Sequence, residues 1–193
     1  MNAVEDDSQL TLEAAHGSIE AFEKLVVQYE PRVRRMIYGL TQDMQLTQDL
    51  CQETFLSAYK ALPRMKGNEL RFAPWLYRIA LNQVRSEWRR RKHVTIIPFS
   101  IPSSGGEEFD ETNQDFMISH MQFEEDVVER DLVRHVLAQL PPASAMCLML
   151  DAEGFSYNEI AETMQDTLSA VRSRLARARQ SFQRIYAGLD QEG

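Results

Sequence analysis

Arg78, Asn82, Arg85, Arg89 and Lys92 recur at intervals of four, three, four and three, so a helix carrying them would line all five up on one face. At 1.5 Å per residue the row is a cationic ridge about 20 Å long. It could track a nucleic-acid backbone, with Asn82 able to hydrogen-bond a base edge. Tyr77 and Trp88 sit off the apolar stripe of the same segment, where their rings could stack on unpaired bases. Trp75, at the margin of that stripe, is expected in the core, as aromatic residues usually are. A solvated face is the alternative for the ridge, but from Arg71 to Lys92 only Glu87 interrupts the single sign of charge.

A second constellation lies near the C-terminus. Ser169, Arg172, Ser173, Arg174, Arg177 and Arg179 accompany an apolar stripe of Val171, Leu175, Ala178, Phe182 and Ile185. On a helical projection Arg172 and Arg179 flank the stripe on one side and Arg174 on the other, while Ser173 and Arg177 lie opposite it. Outward donors of these types contact phosphates and guanine edges. A third group, Asp49, Gln52 and Glu53, is a patch of acids and amides of a kind that is usually just solvated.

The elements that must position these groups are all helical. Apolar positions from Ile19 through Phe22, Leu25, Val26, Tyr29, Val33, Met36, Ile37 and Leu40 keep spacings of three and four. Pro31 is expected to start a second helix within that run. Further helices are predicted over about 46–62, ended by Pro63 and Gly67-Asn68, and over 72–92, with Pro74 in the first turn. Helical periodicity returns at Val127, stops at Leu140-Pro141-Pro142, and a short helix then runs to Gly154, a suitable C-terminal cap. Ser156-Tyr157-Asn158-Glu159 fits a capping box, opening a helix with Ile160, Ala161 and Met164 on one face. After a polar break at Gln165-Asp166-Thr167 the arginine-bearing helix begins at about Ser169. Short helix, tight turn and longer basic helix make a helix-turn-helix, whose second helix enters the major groove. A helical hairpin with a solvated basic face fits the same residues.

The net charge of −8 conceals an uneven distribution. Pro102 to Asp131 holds ten acids and one base, Arg130, so the remainder of the chain is slightly positive. Prolines, serines and glycines from Pro98 to Gly106 precede the acids, which reads as a flexible acidic linker between basic surfaces. The expected architecture is therefore all-α, with two small helical domains joined by that linker. Residues 1–17 form an acidic tail or short helix, 18–93 the first domain, 94–126 the linker, 127–187 the helix-turn-helix domain and 188–193 a tail. The first thirty residues hold no basic segment followed by an apolar run, which predicts a cytoplasmic protein without membrane insertion. Cys51 and Cys147 each fall in an apolar helical pattern and read as buried free thiols.

Leu140-Pro141-Pro142, the run Gly154 to Ala161 and the run Ala170 to Arg179 together resemble region 4 of the extracytoplasmic-function sigma factors of bacterial RNA polymerase. Gln165-Asp166 stands where that family has a glycine and an apolar residue, and Ser169-Ala170 where Gly-Thr is familiar. Trp75 to Ala80, Asn82 and Arg89-Arg90-Arg91 resemble region 2, although Ser86 replaces a common aspartate and Leu81 a common arginine. Asp49 to Phe55 resembles the segment that docks on the polymerase clamp helices.

The resemblance implies a factor that binds core RNA polymerase, at its clamp helices and flap, and directs it to promoter DNA. The −35 duplex would be read by Ser169, Arg172, Ser173, Arg174, Arg177 and Arg179. The −10 non-template strand would be captured by Tyr77, Arg78, Asn82, Arg85, Trp88 and Arg89, and the polymerase contacted by Asp49, Gln52 and Glu53. Phe55 would pack inside. The linker would thread the polymerase cleft, and an inhibitory anti-sigma factor is an expected partner. No cofactor or metal is implied: His16, His93, His120 and His135 lack ligand spacing, and no HExxH, CxxC, nucleophile elbow or phosphate loop is present. Catalysis is therefore not expected. The competing reading is a stand-alone helix-turn-helix regulator whose N-terminal half senses a ligand or oligomerises.

Overall fold

A computed structural model describes residues 3–64, 71–94 and 124–189, and among them the chain forms eight α-helices and no strand. These are α1 (Ala3–Ala15), α2 (Ile19–Thr41), α3 (Met44–Ala61), α4 (Phe72–Val94), α5 (Glu124–Gln139), α6 (Pro142–Ala152), α7 (Tyr157–Met164) and α8 (Leu168–Leu189), with a 3-10 turn at Leu62–Arg64. Helices α1 to α4 pack in sequence as an N-terminal bundle, and α5 to α8 form the C-terminal half around α8. Most of the linker expected over 94–126 lies outside the described residues.

Local chemistry explains most boundaries. Ser18 caps α2 by accepting the Ala21 amide at 3.2 Å, and Asp43 caps α3 by accepting the Leu46 amide at 2.9 Å. The helix expected from Leu46 thus begins two residues earlier, at Met44. Helix α6 places Pro142 in its first turn, where a missing N–H costs nothing. Gly154 has φ +86°, a left-handed conformation that favours glycine, and closes the following turn as expected.

Three expectations change. Pro31 does not start a helix, because α2 runs unbroken from Ile19 to Thr41. Proline at 31 denies a partner to the carbonyl of Val27, and since Pro31 and Val27 both face solvent, water can satisfy it. Ile19 is 58% exposed rather than buried, as the first helical residue ahead of the packed face. Helix α5 starts at Glu124, ahead of the periodic residues from Val127. The 1–17 segment contributes α1, whose Leu10, Thr11 and Ala14 are buried and whose Asp7 accepts from Tyr29 and Gln28 of α2.

The two halves do not stand apart. A single apolar cluster runs from Leu25, Met36, Leu76 and Tyr77 of the N-terminal bundle to Met146, Leu150, Phe155, Ile160 and Leu175 of the C-terminal half. Helix α4 is consequently covered from two sides, by α2 and α3 and by α7. Both cysteines are free and buried, and burial, with a smaller contribution from Glu30, pushes the Cys51 thiol up to about 11.

Candidate nucleic-acid interface

The C-terminal constellation forms as its spacing requires. Ser156 and Glu159 complete the capping box: the Ser156 hydroxyl accepts the Glu159 amide at 3.3 Å, and the Glu159 carboxylate accepts the Ser156 amide at 2.7 Å. Helix α7 ends on Gln165, which adopts φ +57° where the resembling family has glycine. Such a conformation is uncommon for a side-chain-bearing residue. Thr167 then caps α8, its hydroxyl accepting the Ala170 amide at 3.1 Å. Val171, Leu175 and Ala178 are buried, so the opposite face of α8 is fixed outward. Phe182 and Ile185 are partly buried against Leu137, Leu140 and Ala145.

On that outward face Ser169, Arg172, Ser173, Arg177 and Arg179 are exposed. Arg177 Nε donates to the Ser173 carbonyl at 3.2 Å. Arg179 is committed to its own domain: it donates to Asp151 at 2.7 Å and to the Tyr157 hydroxyl at 3.2 Å. Arg174 is only half-exposed, with Nη1 2.6 Å from Asp166 and 3.9 Å from Cys147 Sγ. Asp166 also accepts the Thr167 amide at 2.8 Å, and Arg174 followed by this amide holds its carboxyl below the usual range. The Asp166 that departs from the family pattern at the turn therefore ties the turn to the helix behind it.

On α4 the sequence-based row is only partly presented. Asn82 and Arg89 are exposed, and Arg89 donates to Ser86 at 3.0 Å. Arg78 and Trp88 are half-buried, Trp88 against the core. Arg85 bonds Asn82 at 3.3 Å and lies 3.4 Å from Met164 Sδ of α7, and burial shifts its guanidinium downward. Tyr77, expected off the apolar stripe, has no exposed surface, because the C-terminal half covers that side of α4. Its ring packs 4.8 Å from that of Phe155, and burial first, then Glu153, raises its hydroxyl well above the ordinary range. Trp75 is buried as expected. Arg90 and Arg91, both exposed, turn toward Glu87 at 2.8 and 2.9 Å, and Arg91 also reaches Asp43 at 3.2 Å. Lys92 lies beyond the side chains described.

The third group sits together on α3, with Asp49, Gln52 and Glu53 all exposed and Phe55 buried beneath them. Sequence reasoning missed Leu56, 43% exposed and one turn from Gln52 and Glu53, which makes the face mixed apolar and acidic. It also missed Arg32, Arg35, Arg71 and Glu153, which join the two halves. Their partners lie 76 to 121 positions away, so no local pattern signals them. Among the described residues no group of three His, Cys, Asp or Glu could hold a metal ion, and no helix is long and apolar enough to cross a membrane.

A helix-turn-helix with an exposed basic face, packed on a second helical unit with its own partly exposed cationic helix, defines a two-lobed DNA-binding protein. The Sigma-70 region 2 family matches residues 25–94, and Sigma-70, region 4 matches residues 130–182. The chain is 33% identical to the RNA polymerase sigma-H factor of Pseudomonas aeruginosa, covering 97% of each chain. It is 31% identical to the ECF RNA polymerase sigma-E factor of Escherichia coli K12, covering 91% of this chain and 92% of that protein. In fold it is similar to CnrH solved with the cytosolic domain of CnrY, at TM-score 0.71 and 24% identity, covering 97% of this chain and 99% of that one. It is also similar to the sigma factor RpoE solved with the anti-sigma factor NepR from Bartonella quintana, at TM-score 0.63 and 20% identity, covering 86% and 97%. The chain belongs to the extracytoplasmic-function sigma-factor family and is a transcription initiation factor of RNA polymerase.

Proposed function

We propose that the chain docks on core RNA polymerase through the exposed face of α3, with Asp49, Gln52 and Glu53 as its polar contacts, and directs the enzyme to a promoter through two DNA contacts. Residues 127–187 hold the −35 duplex, with Ser169, Arg172, Ser173 and Arg177 facing the major groove. Arg174 and Arg179, each engaged by a carboxylate, serve at its edge or exchange those partners for phosphates. Residues 18–93 capture the −10 non-template strand with Tyr77, Arg78, Asn82, Arg85, Trp88 and Arg89 of α4. Binding separated strands offsets an unstacking cost of a few kcal/mol per base without ATP. The acidic linker, threading the polymerase cleft, lowers affinity for naked DNA and makes recognition depend on polymerase. An inhibitory anti-sigma partner and a cytoplasmic location follow from the same reading, as does a role without catalysis.

The observation that carries this reading is the capped helix-turn-helix with Arg172, Ser173 and Arg177 exposed together on α8. Co-purification with bacterial core polymerase, followed by promoter-dependent run-off transcription, tests it. Stable binding and a discrete transcript are expected. Tight operator binding by the protein alone, with no affinity for core polymerase, would instead establish the stand-alone regulator.

A further inference from the structure

Arg174 and Arg179 lie on opposite flanks of the buried stripe of α8, and each is tied to a carboxylate of the C-terminal half. On one flank Arg174 Nη1 is 2.6 Å from Asp166 in the turn and 3.9 Å from Cys147 Sγ of α6. On the other, Arg179 donates to Asp151 of α6 at 2.7 Å and to the Tyr157 hydroxyl of α7 at 3.2 Å. Its guanidinium also lies 6.0 Å from the centre of the Tyr157 ring. An exposed ion pair by itself contributes little. Here each arginine has partners on more than one element, which fixes its direction. Apolar burial is non-directional, so a stripe as narrow as Val171, Leu175 and Ala178 leaves α8 some freedom to roll about its axis. Ties on both flanks oppose a roll in either sense. The residues whose direction they set are Ser169, Arg172, Ser173 and Arg177, exposed on the face between the flanks. Hydrogen bonds weaken steeply off line, so base reading depends on that direction.

We propose that the Asp166–Arg174 and Asp151–Arg179 pairs hold α8 at one rotation about its axis. Arg174 and Arg179 are then positioning residues for −35 reading, and they keep their carboxylates on DNA instead of exchanging them for phosphates. This rests on α8 being the −35 reader. It makes two acids, which DNA repels, necessary for tight binding of the right sequence. Phosphate contacts carry no sequence information, so loss of either tie falls on the sequence-specific complex alone.

The test uses the full chain assembled with core RNA polymerase and a pair of duplex probes. One is a promoter that the unaltered complex selects from a pool randomised at −35, and the other is the same duplex with that element scrambled. Asp166→Asn and Asp151→Asn remove the charges and leave side chains of the same shape, and denaturation midpoints confirm that they are folded at the assay temperature. Each should weaken binding of the selected duplex about tenfold, the scale of one base contact, and leave binding of the scrambled duplex unchanged. By charge alone, removing an acid beside DNA strengthens binding of both probes, so the sign decides. Unchanged or tighter binding of the selected duplex by either variant would overturn the proposal. Arg174→Ala and Arg179→Ala supply the reading should an aspartate variant fail to fold. They should weaken the selected duplex alone, with an unchanged salt slope. Equal loss on both probes, with a slope smaller by about one, would make them phosphate contacts and overturn it. Combining Asp166→Asn with Arg174→Ala should cost no more than Arg174→Ala alone, whereas additive losses would show that the pair does not act as a unit and also overturn it. If the unaltered complex does not form, or enriches no −35 sequence, α8 is not the −35 reader, and the proposal falls with that reading before any variant is made.

Discussion

Helices α8 and α4 both carry a row of arginines, yet α8 shows most of its row to solvent while α4 is packed along much of its length. On α8 the buried stripe is narrow, Val171, Leu175 and Ala178, and leaves Arg172, Ser173 and Arg177 outward. On α4 Phe72, Trp75, Leu76, Tyr77, Ala80, Leu81 and Val84 are all buried, which covers more than one face. A helix packed on one side keeps its sequence-assigned surface, and a helix packed on two sides loses part of it.

The largest effect should come from undermining the narrow stripe. Leu175→Ala removes a side chain that is 1% exposed, and should cost about 2–5 kcal/mol by chemical denaturation. An effect below about 1 kcal/mol would mean that α8 is held less by this stripe than its burial implies.

Removing the outward donors should separate binding from stability. Arg172→Ala and Arg177→Ala are each expected to weaken duplex −35 binding in the polymerase complex by about 1–3 kcal/mol if the side chain reads a base, with an unchanged denaturation midpoint. Arg174→Ala sharpens the contrast. Because Arg174 is tied to Asp166, it should lower stability as well as binding, and loss of binding alone would place Arg174 with the outward donors. On α4, neutralising Arg85 and Arg89 should impair open-complex formation more than polymerase binding, and equal loss of both would point to misfolding.

Ser156→Ala removes the cap of α7 and should cost about 1 kcal/mol, measurable as a lowered urea midpoint. The smallest effect concerns acid. Asp166 titrates below its ordinary 3.8 in the folded protein, so its contribution is present above that value and is lost as pH falls through the folded value. Urea midpoints followed from about pH 5 to about pH 3 should fall less steeply for Asp166→Asn than for the unaltered chain. Identical slopes would show that the Arg174–Asp166 pair contributes nothing to stability.

What was legible in the sequence is what short-range geometry determines. Spacings of three and four identified the helices, Ser156 and Glu159 located the start of α7, Gly154 marked the turn before it, and Val171, Leu175 and Ala178 oriented α8. These signals lie within one or two helical turns, where the backbone leaves little choice. Pro31 misled because a local rule names a favoured position for proline without excluding an interior one whose orphaned carbonyl faces water. Only the tertiary structure decided that Tyr77 is covered, that Arg85 lies against α7, and that Arg32 and Arg35 converge on Glu153. Periodicity says which residues share a face but not how many faces will be covered, and a contact between residues so distant along the chain is fixed by packing alone.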